Sequence, residues 1–199
     1  MSYKLIYAKA SPYSCKVRMA AAYLGIALEL VATETGKQEP ILMNANPLAK
    51  IPVLLVPNGP AVYDSRAILR FLDRVSGGRL YPTEAAALTR VEVQESLCEG
   101  LLDSLLAHIY ERRYRPEAII HQPWLDKQWQ RVLRVLQALE VSTLPAVDTP
   151  HADVIALRIS LGYLALRFSG QWEQNVPGLL NWAETFDRRH PDLLSCLPA

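Results

Sequence analysis

The chain has few cysteines, no excess of charge of one sign and no apolar run long enough to cross a bilayer. Its three cysteines, Cys15, Cys98 and Cys196, are odd in number and widely spaced, which argues against a disulfide framework or a CxxC metal clip, and no metal is expected. The 21 basic and 20 acidic residues nearly balance without a long basic run, so nucleic acid is not an expected partner. The most apolar stretch, residues 154–168, contains two arginines and predicts a buried core helix.

The first residues also lack the pattern of a secretion signal. They lead within a few positions into a strand-like segment, with no basic region, apolar core and cleavage site in succession. The cysteine usage suits a reducing compartment. We therefore expect a cytoplasmic protein without a membrane partner.

Residues 46–75, NPLAKIPVLLVPNGPAVYDSRAILRFLDRV, have the pattern of a strand, a turn, a second strand and a helix. Pro52 marks the entry to the first strand, which is predicted at 53–56. Proline is costly in the interior of a strand but is tolerated where a strand begins. Asn58-Gly59 tolerates positive φ and predicts a tight turn into a short strand at 61–63.

The helix that follows is predicted to begin at Asp64-Ser65. Ser65 is a favoured N-cap residue, and the apolar residues that follow have the spacing of an amphipathic helix: Ile68, Leu69, Leu72 and Val75. The N-terminus of a helix attracts a carboxylate, and Asp64 beside it could hold an ammonium. A ligand with an α-amino and an α-carboxyl group would satisfy both, although an ordinary capped helix fits the same residues.

The preceding part of the chain predicts a βαβ unit. Residues 3–8 form a short apolar strand that we expect to be central and parallel in its sheet. Ser11 followed by Pro12 predicts the start of a helix that Gly25 ends, and residues 26–32 predict a second strand. The resulting order, βαβ-ββα, is thioredoxin-like and places Ser11 at a strand-to-helix junction, where open α/β sheets commonly bind ligands.

The motifs NPLAKIPVL and YDSRAILRFL, at this interval, resemble the glutathione-binding half of the glutathione S-transferase superfamily. The resemblance implies that Pro52 is a cis-proline and that Ile51 pairs with the backbone of glutathione. It also implies that Asp64 and Ser65 hold the γ-glutamyl end and that Lys50 reaches the glycyl carboxylate. Many relatives have Glu or Gln where Asp64 stands, so the contact with the ammonium is expected to shift.

The stretch ASPYSCKVRMA resembles the catalytic turn of the serine-type transferases, similar to the tau, phi and zeta classes. In those proteins the residue corresponding to Ser11 hydrogen-bonds the glutathione sulfur. A thiol with a pKa of about 8.5 is mostly protonated at neutral pH, and a hydroxyl donor favours its nucleophilic thiolate. Ser11 is therefore the expected catalytic residue, with a simple helix cap as the alternative.

Three neighbouring residues are weaker alternatives to Ser11. Tyr7 is the second choice, since tyrosine-type relatives carry their donor at the end of the first strand, and Ser14 is the third. Cys15 is a further candidate for a nucleophile, but cysteine-type relatives have their cysteine at the position that Ser11 occupies in this chain. We predict that Cys15 is an inert or partly buried helix residue.

Residues 77–82, GGRLYP, interrupt the helical and the strand periodicity of the apolar residues. They predict a linker between an α/β domain, 1–76, and an all-helical domain, 83–199. The first helix of the second domain is predicted to begin at Glu84 with Thr83 as its cap and to run toward Pro116. Further helices are predicted to begin near Pro123, at Thr149-Pro150 with Thr149 as the cap, and at Pro177.

The first of these helices also carries the candidates for a second substrate site. Ser104, His108 and Glu111 share one face at helical spacing and could contact an electrophile, although a solvated polar face fits equally. Glu99, beside Gly100, resembles an acidic residue that approaches the partner's glutathione in some relatives, and the alternative is a surface carboxylate. A homodimer is expected from the resemblance.

The resemblance implies a detoxifying glutathione transferase that binds reduced glutathione as its co-substrate. The enzyme would stabilise the thiolate for attack on small apolar electrophiles. Two alternatives remain open at this point: a glutathione-dependent peroxidase, isomerase or dehalogenase, and a non-catalytic module that binds glutathione or another ligand.

Overall fold

A computed structural model describes residues 2–37 and 39–199 and confirms the predicted fold class. A thioredoxin-like α/β domain precedes a helical domain. The strands of the first are β1 (Tyr3–Tyr7), β2 (Leu28–Ala32), β3 (Val53–Leu55) and β4 (Ala61–Val62), and its helices are α1 (Pro12–Leu24), α2 (Pro40–Ala45) and α3 (Ser65–Val75).

Among the described residues, the strands form one mixed sheet in the order β2-β1-β3-β4. The predicted central position of β1 is confirmed, with β2 parallel and β3 antiparallel to it. Side chains of a strand alternate between the two faces of its sheet. Leu5 accordingly joins the main core with α1 and α3, whereas Ile6 packs with Leu42 of α2 and Val53 in a small second cluster.

Local sequence rules account for α1. Ser11 is its N-cap, Pro12 is its first residue, and Gly25 ends it in the left-handed conformation at φ 73°, all as predicted. The helix packs on α3 and on the helix at Ala152–Phe168 of the second domain, and its residues Val17 and Ala20 are therefore fully buried. The first turn of α1 is thereby fixed relative to both domains.

The cap of α3 differs from the prediction. Asp64, and not Ser65, is the N-cap, since one oxygen of its carboxylate accepts the backbone N–H groups of Arg66 and Ala67 at 3.0 and 3.4 Å. Ser65 is the first helical residue and is buried. Both residue types are good caps, and the extended backbone of Asp64 decides between them.

The second domain contains four α-helices within the described residues. They are α4 (Ala85–Tyr114), α5 (Gln122–Glu140), α6 (Ala152–Phe168) and α7 (Pro177–Arg189). Two predicted caps are wrong. Glu84 caps α4 in place of Thr83, because its carboxylate accepts the N–H groups of the first turn, and α6 begins after His151 instead of being capped by Thr149.

Helix α6 is the predicted buried core helix. Nearly all of its residues are buried, and it packs against α4 and α1. Its Arg158 is neutralised by a bidentate pair with Asp187 at 2.6 and 2.8 Å. Within residues 2–37 and 39–199, no helix has the length and hydropathy needed to cross a membrane.

Candidate active site

A cavity of about 670 Å³ lies where the two domains meet. Its lining comes from five segments, which fall within residues 8–13, 46–52, 63–66, 99–114 and 163–167. A volume of this size accommodates a ligand of several hundred daltons. Six of the residues predicted to bind glutathione or its sulfur border it: Ser11, Lys50, Ile51, Pro52, Asp64 and Ser65.

The loop before β3 is organised by Asn46. Its buried side chain donates to the carbonyl oxygen of Lys50 at 2.8 Å and accepts the backbone N–H of Leu48 at 3.0 Å. Ala49 within the loop has a positive φ of 50°. The Ile51–Pro52 bond is cis, as predicted. The amide of Asn46 therefore sets the course of the chain along this wall of the cavity.

A second wall is the N-terminus of α3. Asp64 uses Oδ1 for capping, while its Oδ2 lies 3.9 Å from the guanidinium of Arg66. The carboxylate side chain is largely exposed at the cavity. The first turn of this eleven-residue helix presents backbone N–H groups and the positive end of the helix dipole beside Ser65. This wall suits a ligand that carries both a carboxylate and an ammonium.

The hydroxyl of Ser11 lies at the first turn of α1, half-buried at the cavity wall. Its Oγ accepts the backbone N–H of Ser14 at 3.3 Å. Because this bond uses a lone pair of the oxygen, the O–H proton of Ser11 is still available for donation. The cap and the predicted sulfur contact are therefore compatible.

The alternatives to Ser11 lie outside the cavity lining. The ring of Tyr7 lies 5.5 Å from the guanidinium of Arg18. The hydroxyl of Ser14 is fully buried and has no hydrogen-bond partner in the part of the chain that the structure describes.

Cys15 is a helix residue that is fully buried in the core. Its thiol donates to the carbonyl oxygen of Lys9 at 3.2 Å. Burial raises the pKa of Cys15 to about 11, so the thiol is protonated at neutral pH. Such a thiol is a poor nucleophile.

The predicted electrophile face of α4 is not part of the cavity. Ser104 is buried and donates its hydroxyl proton to the carbonyl oxygen of Gly100 at 2.9 Å. Glu111 accepts the backbone N–H of His121 at 3.1 Å. Both side chains are occupied within the helical domain and outside the cavity lining.

His108 is placed similarly. Its ring packs against those of Trp129 and Phe168, with centroid distances of 6.2 and 5.4 Å, and lies outside the cavity lining. Burial, with a smaller contribution from Arg112, lowers the pKa of His108. This face of α4 packs on α5 and α6, so the cavity lining does not support the predicted contact of Ser104, His108 and Glu111 with an electrophile, which stays a prediction.

The adjacent face of α4 and the end of α6 line the cavity instead. The lining residues from these two helices are Glu99, Asp103, Leu106, Ala107, Tyr110, Arg113, Tyr114, Tyr163 and Arg167. The sequence analysis selected the neighbouring face of α4, with Ser104, His108 and Glu111. The i, i+3, i+4 spacing of the α4 residues was the available signal. Across the described residues, no group of three or more His, Cys, Asp or Glu is arranged to hold a metal ion.

Comparison with known proteins identifies the family. Residues 10–75 match the family model described as glutathione S-transferase, N-terminal domain. A crystal structure of a glutathione S-transferase from Methylobacillus flagellatus with glutathione bound is 32% identical over the full length of both chains, with a TM-score of 0.88. The chain belongs to the glutathione S-transferase superfamily.

Two further relatives of this superfamily extend over nearly the whole chain. A glutathione S-transferase from Methylobacterium radiotolerans, in complex with glutathione sulfonate, is 31% identical with a TM-score of 0.90, covering all of this chain and 96% of that one. The uncharacterised GST-like protein YibF of Escherichia coli is 27% identical over 94% of each chain. The similarity thus includes the helical domain as well as the matched N-terminal segment.

In this member of the superfamily, Glu99 is not a surface carboxylate. It borders the cavity, and its approach to a partner's glutathione stays a prediction. It is buried, and its carboxylate is paired with the ammonium of Lys16, which is fully buried in α1. Lys16 also contacts Glu95 at 3.2 Å, and the hydroxyl of Tyr81 donates to Glu95 at 2.9 Å. Sequence reasoning missed this network, since lysine is rarely buried. It joins α1, which carries Ser11, to α4.

Tyr13 supplies a second connection between α1 and α4. Its hydroxyl donates to the carboxylate of Asp103. Burial, and then the hydrogen bond to Asp103, raises the pKa of Tyr13, so the phenol stays protonated. Both residues border the cavity, and their bond fixes the distance between the first turn of α1 and the α4 wall.

Proposed function

We propose that the chain is a glutathione transferase in which the Ser11 hydroxyl stabilises the glutathione thiolate. The observation that carries the proposal is that Ser11, the loop at Lys50 to Pro52 and the N-terminus of α3 border one cavity. Relatives at 32% and 31% identity were crystallised with glutathione and glutathione sulfonate, which supports the same ligand for this chain.

Glutathione would be held at both ends. The α-carboxylate of its γ-glutamyl group would accept hydrogen bonds from Ser65 and the first turn of α3, while Asp64 would bind the α-ammonium. The backbone of Ile51 would pair with the peptide, and Lys50 would meet the glycyl carboxylate. Each of these residues borders the cavity.

The sulfur would then be directed at the first turn of α1. A hydrogen bond from the Ser11 hydroxyl stabilises a thiolate more than a thiol, which lowers the pKa of the bound sulfur. The released proton passes to water. The thiolate attacks an electrophilic carbon, a carbon–sulfur bond forms, and a halide leaves with the electron pair of the broken bond.

The helical domain would supply the electrophile site. Leu106 and Ala107 offer apolar surface at the cavity, which suits the small apolar electrophile expected from the sequence. We assign residues 1–76 to glutathione binding and 83–199 to the electrophile, with 77–82 as the linker. The expectations of a homodimer, a cytoplasmic location and a detoxifying role are part of this proposal.

Two measurements test the proposed function. Isothermal titration calorimetry should detect glutathione binding, and a nitroaryl chloride should be conjugated faster than in the uncatalysed reaction. Binding without turnover on any electrophile, peroxide or isomerisable substrate would instead favour a ligand-binding module. Absence of glutathione binding would overturn the proposal.

A further inference from the structure

One side of the cavity is both aromatic and basic. It is formed by the C-terminal end of α4 and the end of α6, and we call it the Arg-Tyr wall: Tyr110, Arg113, Tyr114, Tyr163 and Arg167. It borders the same cavity as Ser11. Its composition differs from that of a purely apolar pocket, because it includes two guanidinium groups.

The two arginines lack acidic partners. Neither Arg113 nor Arg167 has a carboxylate within salt-bridge distance among residues 2–37 and 39–199. The carboxylates that α4 contributes to the cavity are both engaged, Glu99 by Lys16 and Asp103 by Tyr13. The Arg-Tyr wall therefore presents two guanidinium groups that have no paired carboxylate within the described residues.

Tyrosine rings lie beside these arginines at the cavity. Arg113 lies over the ring of Tyr110 with 5.6 Å to the centroid, and Tyr110 meets Tyr114 edge to face at 5.4 Å. Tyr163, Arg113 and Arg167 border the same cavity, and burial raises the pKa of Tyr163 while the charges of Arg167 and Arg113 act in the opposite direction. Tyr110 and Tyr114 are 41% and 63% exposed, so their rings are available to a ligand.

Glutathione does not account for this charge. In the proposed function its two carboxylates are bound by the α3 N-terminus and by Lys50, which belong to the other domain. The Arg-Tyr wall is then available to bind the second substrate. Two guanidinium forks match the two oxygens of a carboxylate, and tyrosine rings favour a planar body.

We infer that the second substrate is an electrophile with an aromatic or similarly planar body and a carboxylate, which Arg113 and Arg167 bind while the tyrosine rings pack against the body. This inference rests on the proposed function and changes the expected second substrate from a small apolar electrophile to one that also carries a carboxylate. The carboxylate takes no part in the chemistry. The thiolate still forms the carbon–sulfur bond, and the halide still leaves with its electron pair.

Binding of two glutathione conjugates tests the inference without turnover. S-(para-carboxybenzyl)glutathione and S-benzylglutathione differ only by the carboxylate, and calorimetry gives their dissociation constants. The carboxylated conjugate should bind about tenfold more tightly, since tenfold corresponds to about 1.4 kcal/mol, the lower range for hydrogen bonds to charged groups. The preference should shrink as the salt concentration rises, because these groups are solvent-accessible.

The double variant Arg113→Gln/Arg167→Gln should lose this preference while its affinity for S-benzylglutathione changes little. Lys127→Gln/Arg134→Gln is the matched control, since it also removes two exposed positive charges but from α5, outside the cavity lining. The control should keep the preference. Both double variants alter exposed side chains, and circular dichroism verifies their folding.

Three results would overturn the inference, and they are distinguishable. Equal affinities of the two conjugates in the wild-type protein would exclude a carboxylate site. A preference that persists in Arg113→Gln/Arg167→Gln would assign the carboxylate to other residues. Failure of glutathione itself to bind would overturn the proposed function together with the inference, whereas the first two results leave glutathione binding intact.

Discussion

The Oγ of Ser11 accepts the backbone N–H of Ser14 at 3.3 Å, so one hydroxyl caps α1 and keeps its own proton for donation. The acceptor and donor functions of a serine hydroxyl are separate. A substitution at this position therefore affects both the helix and the bound sulfur. Glycine costs an N-cap only a few tenths of a kcal/mol relative to serine, so Ser11→Gly separates the two effects better than Ser11→Ala.

Ser65→Ala should weaken glutathione binding. The change removes a hydroxyl that we expect to contact the γ-glutamyl carboxylate, a bond worth roughly 1.5–3 kcal/mol, so the dissociation constant should rise about ten- to a hundredfold. Calorimetry measures it. Ser76→Ala, at the opposite end of α3, is the control because the Ser76 hydroxyl only donates to the carbonyl oxygen of Asp73. Unchanged affinity in Ser65→Ala would disprove this contact.

Cys15→Ala should have little effect on kcat/KM. Burial raises the pKa of Cys15 to about 11, so at neutral pH its thiol is protonated and shielded from reagents. Alkylation by iodoacetamide, followed by mass spectrometry, should accordingly be slow at this residue in the folded protein. Loss of activity in Cys15→Ala with retention in Ser11→Gly would indicate a thiol-exchange enzyme instead.

Lys16→Met should destabilise the fold by about 3–5 kcal/mol, because it leaves two buried carboxylates, Glu95 and Glu99, without their cation. Urea unfolding measures the loss. Lys4→Met is the control, since the pair of Lys4 with Glu29 is about half exposed at 49% for each side chain and such pairs contribute only about 0–1 kcal/mol.

A second variant makes the same prediction sharper. Changing Glu95 and Glu99 to Gln in the Lys16→Met background removes the unpaired charges and should restore part of the stability. A Lys16→Met variant no less stable than Lys4→Met would show that the network does not hold α1 to α4.

The stability of the protein should fall on acidification through His108. Burial between aromatic rings lowers the pKa of His108, so the unfolded chain takes up a proton first as the pH drops through its ordinary value of about 6.5. The contribution of His108 is therefore complete above that pH and lost below it. His108→Phe keeps the ring contacts and should show a smaller loss of unfolding free energy between neutral and mildly acidic pH.

Urea titrations of both proteins at each pH measure this difference. The comparison cancels the contributions of groups that do not interact with His108, since these are the same in both proteins. Equal acid sensitivity of the two proteins would contradict the assignment.

Local rules in the sequence predicted much of the fold and several of the residues that border the cavity. Ser11, Pro12 and Gly25 define α1 through backbone preferences that depend on neighbouring residues alone. The residues predicted for the γ-glutamyl group border the cavity, although Asp64 displaced Ser65 as the cap because two adjacent residues were both suitable.

The remaining features depend on tertiary contacts. The choice between the Ser104 face and the Tyr110 face of α4 depends on where α5 and α6 pack, which no periodicity within α4 reveals. Asn46 organises its loop through two hydrogen bonds between its side chain and the main chain. No periodic pattern of residues in the sequence indicates these bonds. The burial of Lys16 depends on acidic residues that lie 79 and 83 positions away.

The pKa of the bound glutathione thiol tests the central claim most directly. Ultraviolet absorbance of the thiolate, titrated with pH in the binary complex, measures it for the wild-type protein, Ser11→Gly and Ser11→Thr. The wild-type and Ser11→Thr complexes should have a thiol pKa below the ordinary value of about 8.5, and Ser11→Gly should raise it by about one to two units, since one unit equals about 1.4 kcal/mol. The dissociation constant of glutathione should change little. An unchanged thiol pKa in Ser11→Gly would contradict the account.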